Sequence, residues 1–337
     1  MFEADFYKVI DSEKLQCTLC PHNCVLKDRQ TGICKVRTNF GGKLIAENYG
    51  KISSYSFDPI EKKPLYHYFP GKEILSIGSV GCNLHCEFCQ NHEISQNGLN
   101  GFRNLEDLSA SSLINIALRN KNNIGIAYTY NEPLVFYEFM KDAATLAKQS
   151  GLKNVMVTNG FINKEPLDKI IKFIDAFSVD LKAFTEEFYK KQTYSKLQPV
   201  LENLKTIKKS GRYLEITNLI IPGLNDDFAD FENMLKWIRA ELGKDTVLHL
   251  SRYFPRYKMS IKSTSPEILF EMYELAKHYL DYVFIGNLAT NKGQNTYCKN
   301  CDNLLIERNG YLTNIVGLTK NGECLNCKEK NITNLYN

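Results

Sequence analysis

The sequence predicts an α/β fold, a partial (βα) barrel with cysteine-rich metal-binding extensions at its N- and C-terminal ends. Three observations support this prediction. Seven short apolar segments alternate with helical stretches, which is the pattern of repeated βα units and a parallel sheet. Distinctive polar residues or turns stand at the ends of these segments, and the strand ends of a barrel converge on one face, where chemistry is built. Eleven cysteines fall into three tight groups with none left over.

The same pattern suggests three regions. Residues 1–72 form a cysteine-rich N-terminal region, in which Gly41-Gly42 marks a predicted β-hairpin. Residues 73–290 form the predicted barrel, and residues 291–337 form a module that resembles a zinc ribbon. The predicted strands are 74–80, 124–130, 154–159, 176–181, 213–221, 245–253 and 282–287. Helices are predicted near 109–120, 133–150 and 164–174, and Ser265-Pro266-Glu267 is typical of a helix start.

Composition narrows the class of protein. The chain has 337 residues, a net charge of +4, 43% hydrophobic residues and 24% charged residues, as in ordinary soluble proteins. This charge is too small to indicate a nucleic-acid partner. No run of eighteen apolar residues occurs and the start of the chain lacks an apolar signal core, so we expect a cytoplasmic protein without a membrane partner. In that compartment tight cysteine groups indicate metal sites rather than disulfides.

The segment GCNLHCEFCQN, residues 81–91, contains Cys82, Cys86 and Cys89 at a C-x3-C-x2-C spacing. A closed zinc site has four ligands, and an iron–sulfur cubane usually has four thiolates. Three thiolates leave one iron open, which is useful if a substrate or cofactor occupies that position, just as catalytic zinc keeps one position free. The alternative is a zinc site completed by His85 or His92.

Several motifs together resemble one family. They are CTLCPHNC, GICKVR, SFDPIEKKPLYHYFPG, GCNLHCEFCQNHEISQ, YTYNEP, VTNG, VDLKAF and TYCKNC. They resemble the radical enzyme of the AmmeMemoRadiSam system, which is similar to the pyruvate formate-lyase activating enzymes of the radical S-adenosylmethionine (SAM) superfamily. The resemblance runs from Cys17 to Cys327. It implies an anaerobic, oxidoreductase-like enzyme in which a [4Fe-4S] cluster cleaves SAM, and a 5′-deoxyadenosyl radical abstracts hydrogen from a substrate.

The resemblance also implies roles for individual residues. Cys82, Cys86 and Cys89 would ligate the cluster, and Phe88 would lie near the adenine of SAM. Glu132 would hold the methionine ammonium, for which a carboxylate is well suited.

At the next two strand ends, Thr158 and Asn159 would hold the ribose or carboxylate, and Asp180 and Lys182 would contact polar parts of SAM. Simpler explanations exist for two of these residues. Glu132 is also explained as an acidic helix N-terminus, and Asn159-Gly160 as a turn.

The two flanking cysteine groups are predicted metal sites. The C-terminal group, Cys298, Cys301, Cys324 and Cys327, has two C-x2-C pairs, and we predict structural zinc there. An auxiliary iron–sulfur cluster and a nucleic-acid contact are the alternatives. The N-terminal group consists of Cys17, Cys20, Cys24 and Cys34. Its spacing is compatible with zinc, which we favour slightly, and with an auxiliary iron–sulfur cluster; His22 could replace a thiolate.

Substrate residues are harder to predict. The candidates in two segments are Lys62, Lys63, Tyr66, His67, His249, Arg252, Tyr253 and Arg256. We expect His67 and Arg252 to line the substrate side of the barrel mouth, with solvated or packed positions as the alternative. The resemblance implies a flavodoxin or ferredoxin electron donor, and Memo-like and AMMECR-like partners. Activation of a glycyl-radical enzyme is the alternative function, and a non-catalytic zinc-binding nucleic-acid module is the remote one.

Overall fold

The computed structural model describes residues 1–102 and 104–335. Its central element is an eight-stranded sheet. The strands are β1 (Ser54–Pro59), β2 (Glu73–Gly78), β3 (Asn123–Tyr128), β4 (Lys153–Thr158), β5 (Ala176–Asp180), β6 (Tyr213–Ile220), β7 (Val247–Arg252) and β8 (Val283–Gly286). They neighbour one another in chain order, β2 to β8 are parallel, and β1 pairs antiparallel with β2.

This sheet confirms the predicted α/β partial barrel. All seven predicted strands are present as β2 to β8. Their runs of valine, isoleucine and leucine are buried because helices cover one face and the barrel interior fills the other. Strand β1 was not predicted as a member of the sheet. Its alternating sequence, SYSFDP, ends at a proline, which a strand at the edge of a sheet tolerates.

In the described part of the chain, eight α-helices accompany the strands. They are α1 (His92–Ser95), α2 (Ala110–Ala117), α3 (Tyr137–Gln149), α4 (Lys164–Ile170), α5 (Glu186–Phe188), α6 (Leu197–Lys209), α7 (Phe228–Trp237) and α8 (Pro266–Lys277). The side-chain oxygen of Ser265 accepts a hydrogen bond from the backbone N–H of Ile268, as expected for the N-cap of α8. The segment predicted as one helix from Pro133 begins with a 3-10 turn, Pro133–Phe136, before α3 starts.

The N-terminal region forms small sheets beside the barrel. Gly41 and Gly42 both have positive φ angles and connect the antiparallel strands Arg37–Phe40 and Lys43–Ala46, to which Phe2–Glu3 also pairs. A second sheet contains Tyr7–Val9, Lys14–Cys17 and Val25–Lys27. A two-stranded pairing joins Lys51–Ile52 to Glu106–Asp107. Buried leucines and valines of this region belong to the same apolar core as the barrel helices, so the region is fixed against the barrel rather than tethered to it.

The C-terminal module is a three-stranded sheet, Thr296–Tyr297, Leu304–Asn309 and Leu312–Ile315. It contacts both sides of the gap left between the edge strands β1 and β8. After β1, the hydroxyl of Thr313 donates to Glu61 Oε1 (2.8 Å), and the backbone N–H of Phe69 donates to the carbonyl of Asn334 (2.7 Å). Before β8, the hydroxyl of Tyr282 donates to Asn331 Oδ1 (2.9 Å). The module therefore bridges the two edges of the incomplete barrel.

Within the described part of the chain, none of the helices has both the length and the apolar character that a membrane span requires.

Candidate active site

The carboxyl ends of the parallel strands surround a cavity of about 510 Å³. Every cluster and cofactor residue predicted from the sequence contributes to its lining: Cys82, Cys86, Phe88, Cys89, Glu132, Thr158, Asn159, Asp180 and Lys182. They come from four consecutive strand ends, β2 to β5. The structure thus brings together side chains that are up to one hundred residues apart in the sequence, as expected for the carboxyl face of a barrel.

The loop that follows β2 carries the three cysteines, and its backbone is held at several points. Gly81 has a φ of +87°, and a Cβ at this position would lie 2.5 Å from the carbonyl oxygen of Cys34, so only glycine fits. The side chain of Asn131 accepts from the Ser79 N–H (2.9 Å) and donates to the Gly81 carbonyl (2.8 Å). The loop is therefore fixed before any ligand binds.

The three thiols face the cavity without a competing protein ligand. The ring nitrogens of His85 contact Gln96 Oε1 (2.7 Å) and the carbonyl of Ile33 (3.1 Å), and His92 stacks on Tyr257. Among the described residues that line the cavity, there is no histidine and no fourth cysteine. Three sulfurs on one side of a large cavity fit a cubane with one open iron better than they fit a closed zinc site.

Burial raises the pKa values of two of the three thiols. It raises the pKa of Cys82 well above the ordinary value, and it raises the pKa of Cys86 to about 12. The protein alone therefore does not stabilise thiolates here, whereas a bound metal cluster would deprotonate them. The N–H of Leu84 (3.3 Å) and the side-chain amide of Asn159 (3.8 Å) both point at the sulfur of Cys82, and such donors stabilise a metal-bound thiolate.

Glu132 is the buried acid of the cavity. Its Oε1 accepts from the Thr158 hydroxyl (2.7 Å) and from the Leu134 N–H (3.1 Å), and its Oε2 accepts from the Asn159 N–H (2.8 Å). Burial raises the pKa of Glu132 to about 7, an effect that these hydrogen bonds only partly offset. Glu132 also caps the helical turn Pro133–Phe136, so the structure supports the simpler explanation from the sequence. A carboxylate held only by neutral donors is nevertheless suited to receive a cation.

Asp180 and Lys182 form an ion pair beside the cysteine loop. Lys182 Nζ lies 2.7 Å from Asp180 Oδ2 and 6.0 Å from the centre of the Phe88 ring. Burial would lower the pKa of Lys182, but the Asp180 carboxylate and the Cys86 thiol raise it. Lys182 is therefore a permanent cation close to the sulfur of Cys86, where a cluster with thiolate ligands would carry negative charge.

The other side of the cavity carries Lys62 and Lys63. Both donate to Asp58, at 2.8 Å and 2.7 Å, and the Tyr130 hydroxyl donates to the same carboxylate (2.7 Å). Burial would raise the pKa of Asp58, but the two lysines and Tyr130 hold it well below its usual range. Tyr311, from the turn of the C-terminal module, completes this wall.

The structure does not bring His67 or Arg252 to the cavity. His67 lies near the amino ends of β6 and β7, where its Nε2 contacts the Thr296 hydroxyl (2.9 Å) and burial lowers its pKa to about 3. The Arg252 side chain leaves the end of β7, donates to the carbonyl of Thr264 (2.8 Å) and packs over Phe254. Its neighbour Ser251 lines the cavity instead. Neither His67 nor Arg252 lines this cavity, so the structure gives no support to the expectation that they line the substrate side of the barrel mouth.

His67 belongs to a buried network centred on Glu215, at the opposite end of the barrel from the cavity. Glu215 accepts from the N–H groups of Tyr66 (3.0 Å) and His67 (2.8 Å), and its Oε2 lies 2.5 Å from His249 Nε2. Burial would raise the pKa of Glu215, but the contact with His249 and the nearby His67 lower it. Arg308 of the C-terminal module donates to the Tyr66 carbonyl (2.7 Å) and seals this end.

The two flanking cysteine groups differ in geometry. The four C-terminal sulfurs all lie within 4.8 Å of one another, and three asparagines, Asn303, Asn326 and Asn331, donate to them. The four N-terminal cysteines line one small cavity next to Asn83, but they do not form such a tight group. Both sets are thus brought together by the fold.

Sequence reasoning missed several residues of the site. Asn131 lies inside the motif YTYNEP, but nothing in the sequence showed that it holds the cysteine loop. Asp58 lies just before the lysine pair. The alternating sequence SYSFDP, which forms β1, was the signal that could have placed Asp58 in a strand of the sheet. Tyr311 had no signal, because the place of the C-terminal module depends on contacts across the whole fold.

Comparison with known proteins agrees with this site. Residues 76–238 match the family model of the Radical SAM superfamily. An uncharacterized protein of Methanocaldococcus jannaschii is 42% identical over 336 residues, which are 98% of this chain and 98% of that protein. A pyruvate formate-lyase-activating enzyme of Listeria monocytogenes is 22% identical over 166 residues, covering 48% of this chain and 67% of the relative.

A solved structure supports the fold alone. The crystal structure of a radical SAM methyltransferase from Sphaerobacter thermophilus superposes with a TM-score of 0.52 at 15% identity, covering 65% of this chain and 67% of the other. The matched family segment begins within β2 and contains the cysteine loop and the strand ends that carry Glu132, Asn159 and Asp180. The three cysteines, the partial barrel and these similarities lead to one conclusion: the chain belongs to the radical SAM superfamily.

Proposed function

We propose that this protein is an enzyme that reductively cleaves SAM at a [4Fe-4S] cluster held by Cys82, Cys86 and Cys89, and abstracts hydrogen from a substrate. The observation that supports this proposal is the arrangement of the three thiols, which face a large cavity with neither histidine nor a fourth cysteine among its described lining residues. When bound, the cluster supplies one electron to the sulfonium of SAM, which yields methionine and the 5′-deoxyadenosyl radical.

The residues of the chain would bind and orient SAM. Glu132 would receive the methionine ammonium, because its buried carboxylate has no cationic partner among the residues that the structure describes. Asn159 would fix the cluster loop and the cofactor together, since it contacts Asn83, Cys82 and, through its backbone, Glu132. Phe88 offers a buried aromatic face for the adenine, and the Asp180–Lys182 pair offers polar groups.

The substrate would bind against the wall formed by Lys62, Lys63, Ser251 and Tyr311. Because the C-terminal module contributes Tyr311 to the cavity wall, it would narrow the access of a substrate to the cavity. This narrowing favours a small molecule or an extended protein segment over a folded protein surface.

We further propose that the chain is the radical enzyme of the AmmeMemoRadiSam system, with Memo-like and AMMECR-like proteins as partners and a flavodoxin or ferredoxin as electron donor. The motifs from Cys17 to Cys327 support this assignment. A second candidate, activation of a glycyl-radical enzyme, is supported by the similarity to pyruvate formate-lyase-activating enzymes.

The test is anaerobic incubation of reconstituted protein with SAM and dithionite, with 5′-deoxyadenosine measured by mass spectrometry. We expect 5′-deoxyadenosine from the native chain and none from Cys86→Ala. Arms containing a Memo-like protein, an AMMECR-like protein or a glycyl-radical enzyme are scored for faster turnover, mass change or a glycyl radical signal. Colourless protein that contains only zinc and does not cleave SAM would refute the radical function.

A further inference from the structure

The N-terminal cysteines show a geometry that differs from that of a zinc site. In tetrahedral zinc the sulfurs lie about 2.3 Å from the metal and hence about 3.8 Å from one another. The C-terminal sulfurs match this spacing, with Cys298–Cys327 at 3.5 Å and Cys301–Cys324 at 3.7 Å. In the part of the chain that the structure describes, no three of the N-terminal sulfurs lie within 4.8 Å of one another.

The N-terminal sulfurs instead surround a cavity. Cys17, Cys20, Cys24 and Cys34 all line it, and their side chains come from the end of strand Lys14–Cys17 and from the turns around it. A cubane places each thiolate on a different iron, so that its four sulfur ligands are spread around a volume rather than gathered at one atom. The N-terminal set has this wider arrangement, and it has four thiols rather than three.

A second observation points to an anionic occupant. Arg37 lines the same cavity and is 1% exposed, and its Nε has no hydrogen-bond partner among the described residues. The other guanidinium nitrogens bind Glu138 and the carbonyl of Asp5. An unpaired buried N–H is costly. A cluster with four thiolates carries negative charge and sulfide acceptors, and hydrogen bonds to such sulfurs tune its potential.

The N-terminal cavity and the radical site meet across a layer that contains Asn83, which lines the first cavity and contacts Asn159 in the lining of the second. Asn83 lines the N-terminal cavity and is the chain neighbour of Cys82. Its carbonyl contacts His22 Nε2 (2.8 Å), and its side chain accepts from Asn159 (2.9 Å), which also points at the sulfur of Cys82. On its other side the site approaches the surface, because Cys24 is partly exposed and Ile33 is 38% exposed.

We propose that Cys17, Cys20, Cys24 and Cys34 hold a second [4Fe-4S] cluster that relays electrons to the site of Cys82, Cys86 and Cys89. One electron from a reduced flavodoxin- or ferredoxin-type donor reduces this cluster, and the same electron then passes across the Asn83 layer, so the relay returns to its oxidised state. The cluster assignment stands on the geometry of the four cysteines, whereas the relay role rests on the proposed function.

The assignment is tested by counting metal in three anaerobically reconstituted proteins. In the variant with Cys82, Cys86 and Cys89 all changed to Ala, we expect about four irons and four sulfides per chain and a cubane electron paramagnetic resonance (EPR) signal after reduction. The native chain should hold about twice that amount. In the matched control, Cys324→Ser with Cys327→Ser, iron should be unchanged and zinc lost.

This count does not depend on SAM cleavage, so it separates the two proposals. A triple variant that contains zinc but no iron would overturn the second cluster and leave the radical function intact. If a variant of the N-terminal cysteines fails to fold, the triple variant still decides, because it keeps those cysteines unchanged.

The relay role is tested by comparing two reductants, a photoreduced flavodoxin and dithionite. In the variant Cys20→Ser with Cys24→Ser, we expect reduction of the remaining cluster by a photoreduced flavodoxin to slow at least about tenfold, as followed by freeze-quench EPR, while dithionite still reduces it. Equal rates with flavodoxin in the variant and the native chain would overturn the relay role, even where the iron count supports the cluster.

Discussion

Two buried glutamates lie at opposite ends of the barrel, and their pKa values are shifted in opposite directions. Glu132, at the carboxyl end, is 3% exposed, and burial raises its pKa to about 7. Glu215, at the amino end, is fully buried as well, yet its pKa is lowered because His249 and His67 oppose the effect of burial. The difference lies in the partners: among the described residues Glu132 has only neutral hydrogen-bond donors, whereas Glu215 contacts His249 Nε2 and lies near the guanidinium of Arg308. A charge balanced within the fold indicates a structural role, whereas an unbalanced one indicates a place for a cationic ligand.

We expect the largest effect on stability from removing two ligands of the predicted C-terminal metal. If the C-terminal cysteines hold zinc, as predicted, the Cys324→Ser, Cys327→Ser variant should lose it and with it the ordered C-terminal module, because structural zinc supplies much of the folding free energy of such small units. Arg308 would then leave the amino end of the barrel. We expect a clearly lower melting temperature and faster proteolysis after residue 290, measured by calorimetry and limited digestion. Unchanged melting in zinc-free protein would contradict the structural role of the module.

The second prediction compares the stability of two variants, each with one of the two glutamates changed to glutamine. Glu215→Gln breaks a buried, hydrogen-bonded pair and should lower the free energy of unfolding by about 3–5 kcal/mol at pH 7. The matched variant Glu132→Gln forfeits only the bond to the Asn159 N–H and should cost about 1 kcal/mol. Because the pKa of Glu215 is lowered by folding, its contribution is present above the ordinary pKa of a glutamate and is lost as the pH falls below it. Denaturant titrations of both variants measure the difference, and equal losses would erase the contrast.

For SAM affinity we expect the opposite order of effects, with Glu132→Gln more harmful than Glu215→Gln. Glu132→Gln should raise the Kd for SAM about 30- to 100-fold in reconstituted protein, which corresponds to a loss of about 2–3 kcal/mol for a desolvated charge pair. Glu215→Gln should leave the Kd within about twofold at a temperature where it is folded. Isothermal titration under anaerobic conditions provides both values. Normal SAM affinity in Glu132→Gln would remove Glu132 from the cofactor site.

The pH dependence gives a smaller effect with a definite sign. With a pKa of about 7, Glu132 becomes protonated as the pH falls below 7, and the neutral acid does not attract an ammonium group. The affinity for SAM should therefore fall by up to tenfold for each pH unit below about 7. In Glu132→Gln the affinity should be nearly independent of pH in this range. A native Kd that is constant between pH 6 and pH 8 would show that SAM does not bind at this carboxylate.

The smallest effect tests the link between Glu215 and the C-terminal module. The Thr296 hydroxyl contacts both His67 Nε2 and Arg308. Thr296→Val should lower the free energy of unfolding by about 1 kcal/mol without changing SAM affinity. The matched control is Ser251→Ala, which also removes one hydroxyl but at the cavity. It should change the free energy of unfolding by less than about 0.5 kcal/mol. The reverse pattern would mean that the amino end is not held by this network.

Features that depend on local interactions could be predicted from the sequence, whereas features that depend on contacts between distant residues could not. The apolar strands and the residues at their ends were predictable, because periodicity is local and parallel strands have a common carboxyl edge. The place of His67 was not, because its loop turns back to the amino end of the barrel and contacts Thr296, 229 residues away. The antiparallel β1 was hidden by the prolines that follow it. The sulfur separations of the two flanking cysteine groups could not be predicted either, since the spacing of cysteines along the chain does not fix the distances between their sulfurs in space.

The bridging position of the C-terminal module has a consequence for biosynthesis. Strands β1 and β8 are edges of an open sheet, and unpaired edges promote aggregation. Until residues 296–335 leave the ribosome and the C-terminal cysteines acquire the predicted metal, the segments beside both edges lack the contacts of Thr313, Asn331 and Asn334. If the predicted zinc occupies the C-terminal site, cells starved of zinc should therefore accumulate this chain in insoluble form, before the supply of iron or cofactor matters.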